Sequence, residues 1–418
     1  MIFVANVLTM NGGTTFLMRT SRELARRGLR ATILLLSPRV DEALHRELGS
    51  VATIIDVSAF STLPVRGLLS VFAPIDWARL RRALPPAGVP VHAMGIFGLW
   101  FAHRLCAADP GRRLSVGVYH QNEFMYRVAP GRFTDGAQAL FRAVPDANLL
   151  FFNDATRDHY AAFFGRSYAS APVLPIGIDI PPAPASYDGP AAPVIVSVGN
   201  LVDFKTYNRH VIAALPALRA ACPGIRYRIV GRGPEEPVLR RLATDLGVAD
   251  VVEFVGQLPY GAIAAEVTAA TVFVGSGTAL LEAAAVGVPA LIGIESLDVA
   301  ESYGFLSDIP DLSYNEHVEG RARIDMTAAL LAVLRDREVR ARIGEACRRK
   351  AEEFGVAATV TGLLAQVPRL EPVAAPRDLP SPLTAAVSCL MLGVRDRVSP
   401  ATAFAARRNQ SFTAPRST

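Results

Sequence analysis

Lysine and cysteine are scarce in this 418-residue chain. The only lysines are Lys205 and Lys350, so almost all of the positive charge is arginine. The four cysteines are scattered, with no Cys-x-x-Cys spacing and no histidine pair beside them. This pattern argues against a disulfide framework and against a structural zinc site. Because lysine is not a general surface residue here, each of the two lysines is a candidate for a specific role.

Long apolar runs are also lacking, although 51% of the residues are apolar. No run approaches the roughly 20 residues that a membrane-spanning helix requires. The first residues, MIFVANVLTM, have the pattern of a strand without a basic leader. We therefore predict a cytoplasmic protein that touches the inner face of a membrane only peripherally.

The formal net charge of +5 is unevenly placed, because the arginine surplus falls in the first 180 residues. Two clusters among these arginines are Arg22, Arg26, Arg27 and Arg30, and Arg79, Arg81 and Arg82. Solvated helix faces and a contact with anionic lipid both account for such clusters. No aromatic interleaving or zinc-finger spacing supports nucleic acid as a partner.

Apolar strand patterns alternate with helical patterns along the chain, which predicts an α/β fold of parallel βα units. A proline-rich stretch, PPAPASYDGPAAP, interrupts the alternation at Pro181 to Pro193. It suits a hinge, after which the pattern starts again. We predict two Rossmann-like, doubly wound parallel-sheet domains facing one cleft, the first on the acceptor side and the second binding a nucleotide sugar, with bounds of 1–180, 181–193 for the hinge, and 194–350.

The remainder is predicted as a terminal helix, 351–368, followed by a tail, 369–418. The helical pattern itself runs from Glu345 to Val367. The tail holds one apolar patch, LTAAVSCLMLGV, which is too short to span a bilayer. We expect this patch to be an amphipathic helix or an ordered return segment, and the last dozen residues to be mobile.

Glycine turns stand where predicted strands give way to helices. The first half has one, Asn11-Gly12-Gly13-Thr14-Thr15, which fits an anion site and equally fits ordinary helix capping. The second half has three: VGN at 198–200, VGRG at 230–233, and GSGT at 275–278. Three such turns at successive strand ends would surround one ligand at the carboxyl edge of the sheet.

Two charged residues complete a pattern for a nucleoside diphosphate. Lys205 follows the first of the three turns, and an ammonium suits a diphosphate. Glu282 lies near the start of the predicted helix after GSGT, where the helix dipole stabilises a carboxylate with or without a ligand. A carboxylate also accepts hydrogen bonds from two ribose hydroxyls. The amides of Gly277, Thr278 and Ala279 would then bind phosphate.

Four segments share a family pattern: VSVGNLVDFK, IRYRIVGRG, VVEFVGQL and SGTALLEAAAVGVPAL. They resemble the donor half of family-4-type retaining glycosyltransferases of the GT-B fold, most specifically from Val196 to Gly293. In the first half NGGTT, ELARRG and PIGID match the same family. The resemblance covers roughly Met1 to Val367.

The resemblance implies roles for single residues. Lys205 would grip the donor phosphates, Glu282 would hold the ribose, and Gly13 would approach the donor from the other domain. His120, at the end of LSVGVYH, would lie beside the transferred sugar. Gly231 and Gly233 would line the nucleoside pocket, and the backbone near Leu258 would meet the base. Asn200 would belong to the donor site as the residue in place of the family's arginine in the first turn.

Two departures from the family pattern stand out. Val274 occupies the position where the family often has a second glutamate, and no acidic residue stands near it in the sequence. Asn200 replaces the usual arginine, which leaves Lys205 without a cationic partner. Sugar recognition is therefore expected to differ from the family norm.

The predicted function is transfer of a sugar from a nucleotide-diphosphate sugar to a glycan or lipid-linked acceptor, with retention and in a hexosyltransferase class. No Asp-x-Asp pair is present, so we expect no metal and no cofactor beyond the sugar nucleotide. Two alternatives stay open: an enzyme like the UDP-N-acetylhexosamine 2-epimerases, and a nucleotide-sugar-binding protein that has lost catalysis.

Overall fold

The structure is a computed structural model that describes residues 1–9, 11–65, 67–120, 122–125, 131–182 and 192–398. It consists of two compact units. The first unit contains Met1–Gly177 together with residues 356–398, and the second unit contains Ile178–Gly355. Most of the predicted hinge, residues 183–191, and the last dozen residues lie outside the described ranges.

The first unit is built on a six-stranded parallel sheet. Its strands have the order β3-β2-β1-β4-β5-β6, and their bounds are β1 Ile2–Ala5, β2 Ala31–Leu35, β3 Ala52–Asp56, β4 Val91–Met94, β5 Leu114–Val118 and β6 Leu149–Phe151. Most of these strands are buried along their whole length, which is why their sequences are continuous apolar runs. The strand order reverses between β1 and β4, the point at which such sheets bind ligands.

One α-helix follows each of these strands: α1 Gly12–Arg26, α2 Glu42–Val51, α3 Trp77–Ala83, α4 Gly95–Ala108, α5 Arg132–Ala143 and α6 Asp154–Phe164. Several begin at a side chain that accepts a hydrogen bond from a first-turn amide. Asn11 caps α1 in this way, Asp41 caps α2, and Asn153 caps α6.

The second unit contains a five-stranded parallel sheet of order β11-β10-β7-β8-β9. Its strands are β7 Val194–Val198, β8 Arg226–Val230, β9 Val252–Gly256, β10 Val272–Gly275 and β11 Ala290–Ile292. A short antiparallel pair follows, β12 Glu301–Ser302 with β13 Ile324–Asp325. The helices are α7 Tyr207–Ala221, α8 Glu236–Asp245, α9 Tyr260–Thr268, α10 Thr278–Ala285, α11 Met326–Arg335 and α12 Arg337–Glu352.

The single helix predicted from Glu345 to Val367 is wrong, because the structure has two helices there. Helix α12 ends at Glu352, residues 353–355 are not helical, and the next helix is α13, Val356–Gln366. Gly355 lies in the break, and glycine costs a helix interior about 1 kcal/mol relative to alanine. The Ile178 N–H also donates to the Phe354 carbonyl at 2.8 Å, which gives this backbone a partner outside a helix.

The chain ends its described part in the first unit, with α13 and with α14, Pro382–Val398. The Gln366 side chain donates to the carbonyls of Ala147 and Leu149 at 2.9 and 3.0 Å, which fastens the end of α13 to β6. The predicted apolar patch lies inside α14 and is therefore helical. Among the described residues no helix is long and apolar enough to cross a membrane.

In the second unit the loops after β7 and β8 pack backbone against backbone. A Cβ on Gly231 would lie 1.9 Å from the Gly199 carbonyl oxygen, and a Cβ on Gly233 would lie 2.1 Å from that of Leu201. Gly231 also has φ +141°, where a side chain is strained. Glycine at these positions is therefore a condition for the two loops to meet.

We expect Gly231→Ala to lower the free energy of unfolding of the second unit by about 2–4 kcal/mol, because it adds both a clash and backbone strain. The matched control is Gly261→Ala in α9, where a Cβ would meet no atom within 4 Å. The control should be neutral or stabilise by up to about 1 kcal/mol. Urea denaturation of both variants measures this, and equal midpoints would contradict the packing argument.

Candidate functional site

Gly13 lies in the first turn of α1, at the carboxyl edge of the first sheet. The amide of Thr14 donates to Asn11 Oδ1 at 3.0 Å, so the side chain before the helix already occupies one of the first amides. Gly13 itself is partly exposed, and a Cβ there would lie 3.2 Å from Asn11 Oδ1. The turn thus performs the capping that sequence allowed as an alternative. A further role of Gly13 in approaching a donor stays a prediction.

His120 stands just beyond the end of β5 and is partly buried. Its Nδ1 accepts a hydrogen bond from the Asn122 N–H at 3.2 Å, and its carbonyl accepts one from the Glu123 N–H at 2.9 Å. A neutral ring whose Nδ1 accepts carries its proton on Nε2. The backbone therefore sets the tautomer that makes Nε2 a donor.

The segment before His120 is held by a buried polar network that sequence reasoning missed. His92 in β4 lies 2.7 Å from the Tyr119 hydroxyl through Nε2 and 2.9 Å from Ser115 Oγ through Nδ1. Burial lowers the pKa of His92 to about 3, so this histidine is neutral. The Glu123 carboxylate accepts the Tyr119 N–H at 2.9 Å. Together these bonds fix the backbone that carries His120.

Lys205 follows β7 in the second unit, and its ammonium lies close to Gly199, the residue directly after this strand. A Cβ on Gly199 would come within 2.5 Å of Lys205 Nζ. The absence of a side chain at Gly199 therefore lets the ammonium reach the carboxyl edge of the sheet. Asn200, the next residue, is exposed and presents its side chain to solvent.

Gly231 and Gly233 follow β8, beside the loop of Gly199 and Leu201 described above. Their backbone contacts explain why these positions are glycine without any ligand. Leu258 is partly buried in the loop after β9, the strand at the far edge of this sheet. The lining roles that the resemblance gives these three residues stay predictions.

The start of α10 differs from the start of α1, because no side chain caps it. Gly277 is its N-cap, with φ +66° and no side-chain hydrogen bond to the first turn. Thr278 and Ala279 follow in the first turn, and all three residues are partly exposed. The first amides of a helix have no partner within the helix and attract anions. This helix start offers amide donors for a phosphate.

Glu282 lies in the second turn of α10 and is partly exposed. Val274, eight residues earlier, is fully buried in β10. A glutamate at this position would be buried in the core of the unit, which carries a heavy cost for a charge. The strand that precedes α10 therefore has no room for the second carboxylate of the family pattern.

A carboxylate that sequence reasoning missed lies beside this helix start. Ser276, directly before Gly277, donates through Oγ to Glu295 Oε1 at 2.9 Å. Burial raises the pKa of Glu295, while the Lys205 ammonium and the Ser276 hydroxyl act in the opposite direction. Glu295 is distant from Val274 in sequence. The one available signal is that it follows the apolar run PALIG, which contains β11, at the same carboxyl edge as the glycine turns.

Backbone bonds hold Glu295 in this place. The Ser296 N–H donates to the Phe204 carbonyl at 2.6 Å, which joins this loop to the one carrying Lys205. Ser296 has φ 60°, a left-handed conformation that costs energy in a residue other than glycine. The Glu295 N–H donates to the Asn315 carbonyl at 3.1 Å. Strain of this kind persists where the surrounding structure imposes it, as at binding sites.

A second carboxyl group, Glu316, interacts electrostatically with Glu295. Burial, together with the charge of Glu295, raises the pKa of Glu316 to about 7. Two carboxyl groups and the Lys205 ammonium thus share one neighbourhood at the carboxyl edge of the second sheet. Such a set can pair with phosphate through the ammonium and accept hydrogen bonds from sugar hydroxyls through the carboxylates.

The residues of this edge lie in a part of the chain that is similar to known proteins. Residues 188–350 match the family model described as "Glycosyl transferases group 1". The GDP-mannose-dependent α-(1-6)-phosphatidylinositol monomannoside mannosyltransferase of Mycolicibacterium smegmatis is 33% identical over 211 residues, which cover 45% of this chain and 54% of that protein. The chain therefore spans about half the length of this curated relative.

Two further likenesses cover more of the chain. The D-inositol 3-phosphate glycosyltransferase of Geodermatophilus obscurus is 27% identical over 395 residues, 85% of this chain and 84% of that protein. The structure of HepE from Anabaena, solved with UDP and glucose, superposes with a TM-score of 0.59 at 16% identity. It covers 88% of this chain and 98% of that one, a likeness that shows the fold alone.

These findings agree with the two parallel sheets, and the three glycine turns of the second half lie within the matched residues. The predicted resemblance to family-4-type enzymes is confirmed. Residues 188–350 are similar to the group 1 glycosyltransferases, and the chain has a GT-B fold of two Rossmann-like units.

Proposed function

We propose that this chain is a hexosyltransferase that moves a sugar from a nucleotide-diphosphate sugar to a glycan or lipid-linked acceptor. One observation carries the proposal: the Lys205 ammonium and the uncapped start of α10 lie at strand ends of the second sheet, and Glu282 follows in the second turn of α10. All three lie within the residues that match the family. An ammonium and helix amides suit a diphosphate, and a nearby carboxylate suits ribose hydroxyls.

The names of the relatives guide the choice of donor and acceptor to test. The Mycolicibacterium smegmatis relative is described as GDP-mannose-dependent and as acting on a phosphatidylinositol mannoside. We therefore take GDP-mannose as the first donor to test and a lipid-linked sugar as the first acceptor class. A cytoplasmic location with peripheral contact to the inner membrane face fits such an acceptor.

Lys205 and the α10 amides would perform the main catalytic work, by stabilising the charge that develops on the departing diphosphate. No metal enters this scheme. Transfer with retention would follow if the departing phosphate helps to deprotonate the acceptor on the same face of the sugar. The resemblance assigns His120 to contact the sugar, and its Nε2 proton would act as a hydrogen-bond donor there.

Glu295 would recognise the sugar hydroxyls in place of the family's second glutamate, whose position is occupied by Val274 in this chain. Its position beside Ser276 and its interaction with Lys205 place it next to the proposed phosphate grip. In this arrangement the sugar meets a carboxylate from the loop after β11 and none from β10. The choice of sugar would then depend on Glu295 and on its neighbour Glu316.

The first prediction for this function concerns donor binding. GDP-mannose or a UDP-sugar should raise the melting temperature of the protein. At a ligand concentration of a hundred times Kd, the free energy of unfolding should increase by about 2.7 kcal/mol. Lys205→Ala and Glu282→Ala should each lower the affinity for that donor about tenfold or more, because each removes a charged hydrogen-bonding group. Glu345→Ala, a charge removal at an exposed position in α12, is the control and should behave like the parent.

Turnover then separates the alternatives. Transfer to an acceptor extract supports the proposal, interconversion of the free donor indicates an epimerase, and tight binding with neither indicates a binding protein. If Lys205→Ala and Glu282→Ala respond to every donor like the parent, the site is assigned wrongly.

The second prediction tests Glu295. Glu295→Gln removes a charge beside Lys205 and one acceptor for sugar hydroxyls, so the variant should lose preference for the nucleotide sugar over the free nucleoside diphosphate by about tenfold. Calorimetric titration with both ligands gives this ratio. Glu319→Gln changes an exposed carboxylate of the same unit and should leave the ratio unchanged. A parental ratio in Glu295→Gln would remove Glu295 from the sugar site.

A further inference from the structure

Six large apolar side chains of α14 are exposed, by 49 to 77% of their surface: Leu383, Val387, Leu390, Met391, Val394 and Val398. At about 100° per residue they point into an arc of roughly 100°, which makes one continuous band along the helix. We call this band the α14 stripe. Contiguous apolar surface of this kind marks an interaction site on soluble proteins.

The opposite face of α14 is fixed to the first unit. Ala385 is fully buried, and Ser388 Oγ accepts a hydrogen bond from the Phe133 N–H at the start of α5, at 3.1 Å. The helix is therefore held by one side against α5, and the α14 stripe faces away from this contact. The exposure of the stripe does not come from a detached helix.

Positive charge accompanies the α14 stripe. Arg395 and Arg397 are exposed, and at about 100° per residue they lie on either side of the stripe. Asp396 is the only acidic residue in the sequence of α14. The sequence that follows, 399–418, adds Arg407, Arg408 and Arg416 and contains no Asp or Glu.

The arginine clusters of the first half are, by contrast, largely engaged in the fold. Arg27 donates to the Ala357 carbonyl at 2.8 Å and pairs with Glu23. Arg30 donates to the carbonyls of Gly49 and Ala52 at 3.1 and 2.9 Å. These guanidinium groups hold α1 and β2 in place, so α14 offers the better site for an anionic partner.

The charges decide between the occupants of the stripe. A second copy paired in antiparallel fashion would set Arg395 and Arg397 against the start of α14, where Leu383 and Thr384 offer no acidic partner. Parallel pairing would set arginine against arginine, which costs association energy. The segment 399–418 has only Phe404 and Phe412 as large apolar residues, too few to cover six side chains. Anionic lipid satisfies both the apolar band and the flanking arginines.

We propose that the α14 stripe is a docking surface for an anionic lipid bilayer, with α14 lying along the membrane surface. The apolar side chains would enter the boundary between headgroups and acyl chains, and Arg395 and Arg397 would bind lipid phosphates. The inference names the surface for the membrane contact in the proposed function and in this sense rests on that function.

The experiment uses the full chain and two kinds of vesicle, pure phosphatidylcholine and a mixture with phosphatidylglycerol, in a sedimentation assay. The parent should bind the anionic vesicles and bind neutral vesicles at least tenfold less. Leu390→Ser with Met391→Ser should lose at least tenfold of this binding. Arg395→Gln with Arg397→Gln should also lose about tenfold, and only on anionic vesicles.

Val238→Ser with Val299→Ser is the matched control, because both side chains are 49% exposed and belong to the second unit. It should bind vesicles like the parent. Equal binding of the parent to both vesicle types, or parental binding by the Leu390 and Met391 variant, would overturn the proposal. The proposal would also be overturned if light scattering shows that the parent is a dimer, that the Leu390 and Met391 variant is a monomer, and that the parent does not bind vesicles.

Donor binding keeps this test separate from the proposed function. The melting temperature of the Leu390 and Met391 variant, and its shift with nucleotide sugar in the absence of vesicles, should equal those of the parent. A parent that binds vesicles but no nucleotide sugar would refute sugar transfer and leave the docking surface standing. A parent that binds the donor but no vesicles would refute the docking surface and leave the proposed sugar transfer standing.

Discussion

Parallel pairing of strands is the constraint on which the rest of the structure depends. Every pairing within the six-stranded and five-stranded sheets is parallel, so in each sheet all strands end at the same edge. In the second unit this rule gathers residues that are far apart in sequence: Lys205 after β7, the start of α10 after β10, and Glu295 after β11. The chemistry of the candidate site is a consequence of the strand directions.

The same rule explains what could be predicted from sequence. Buried parallel strands are continuous apolar runs, and glycine turns mark their ends, so the strands, the two Rossmann-like units and the neighbourhood of Lys205 and α10 follow from pattern alone. Periodicity could not show the break between α12 and α13, which depends on the pairing of Ile178 with Phe354. Glu295 was missed because no motif announces it. Its place depends on a left-handed Ser296 and on a hydrogen bond to Ser276.

The carboxyl edge of the second sheet brings together one ammonium and two carboxyl groups, those of Lys205, Glu295 and Glu316. Burial opposes ionisation of both carboxyl groups, and the ammonium favours ionisation of Glu295. A diphosphate that arrives here would compete with Glu295 for the same ammonium.

The return of the chain to the first unit after residues 353–355 also affects the order in which the two units can fold. The first unit is discontinuous in sequence, because α13 and α14 return to it after the whole second unit. Val356, Val360 and Leu363 of α13 are buried in the same core as Phe16 and Leu17 of α1. During synthesis this core stays open until α13 has left the ribosome. The second unit, which is continuous, can close first, so the half of the protein that is made later can be the half that folds earlier.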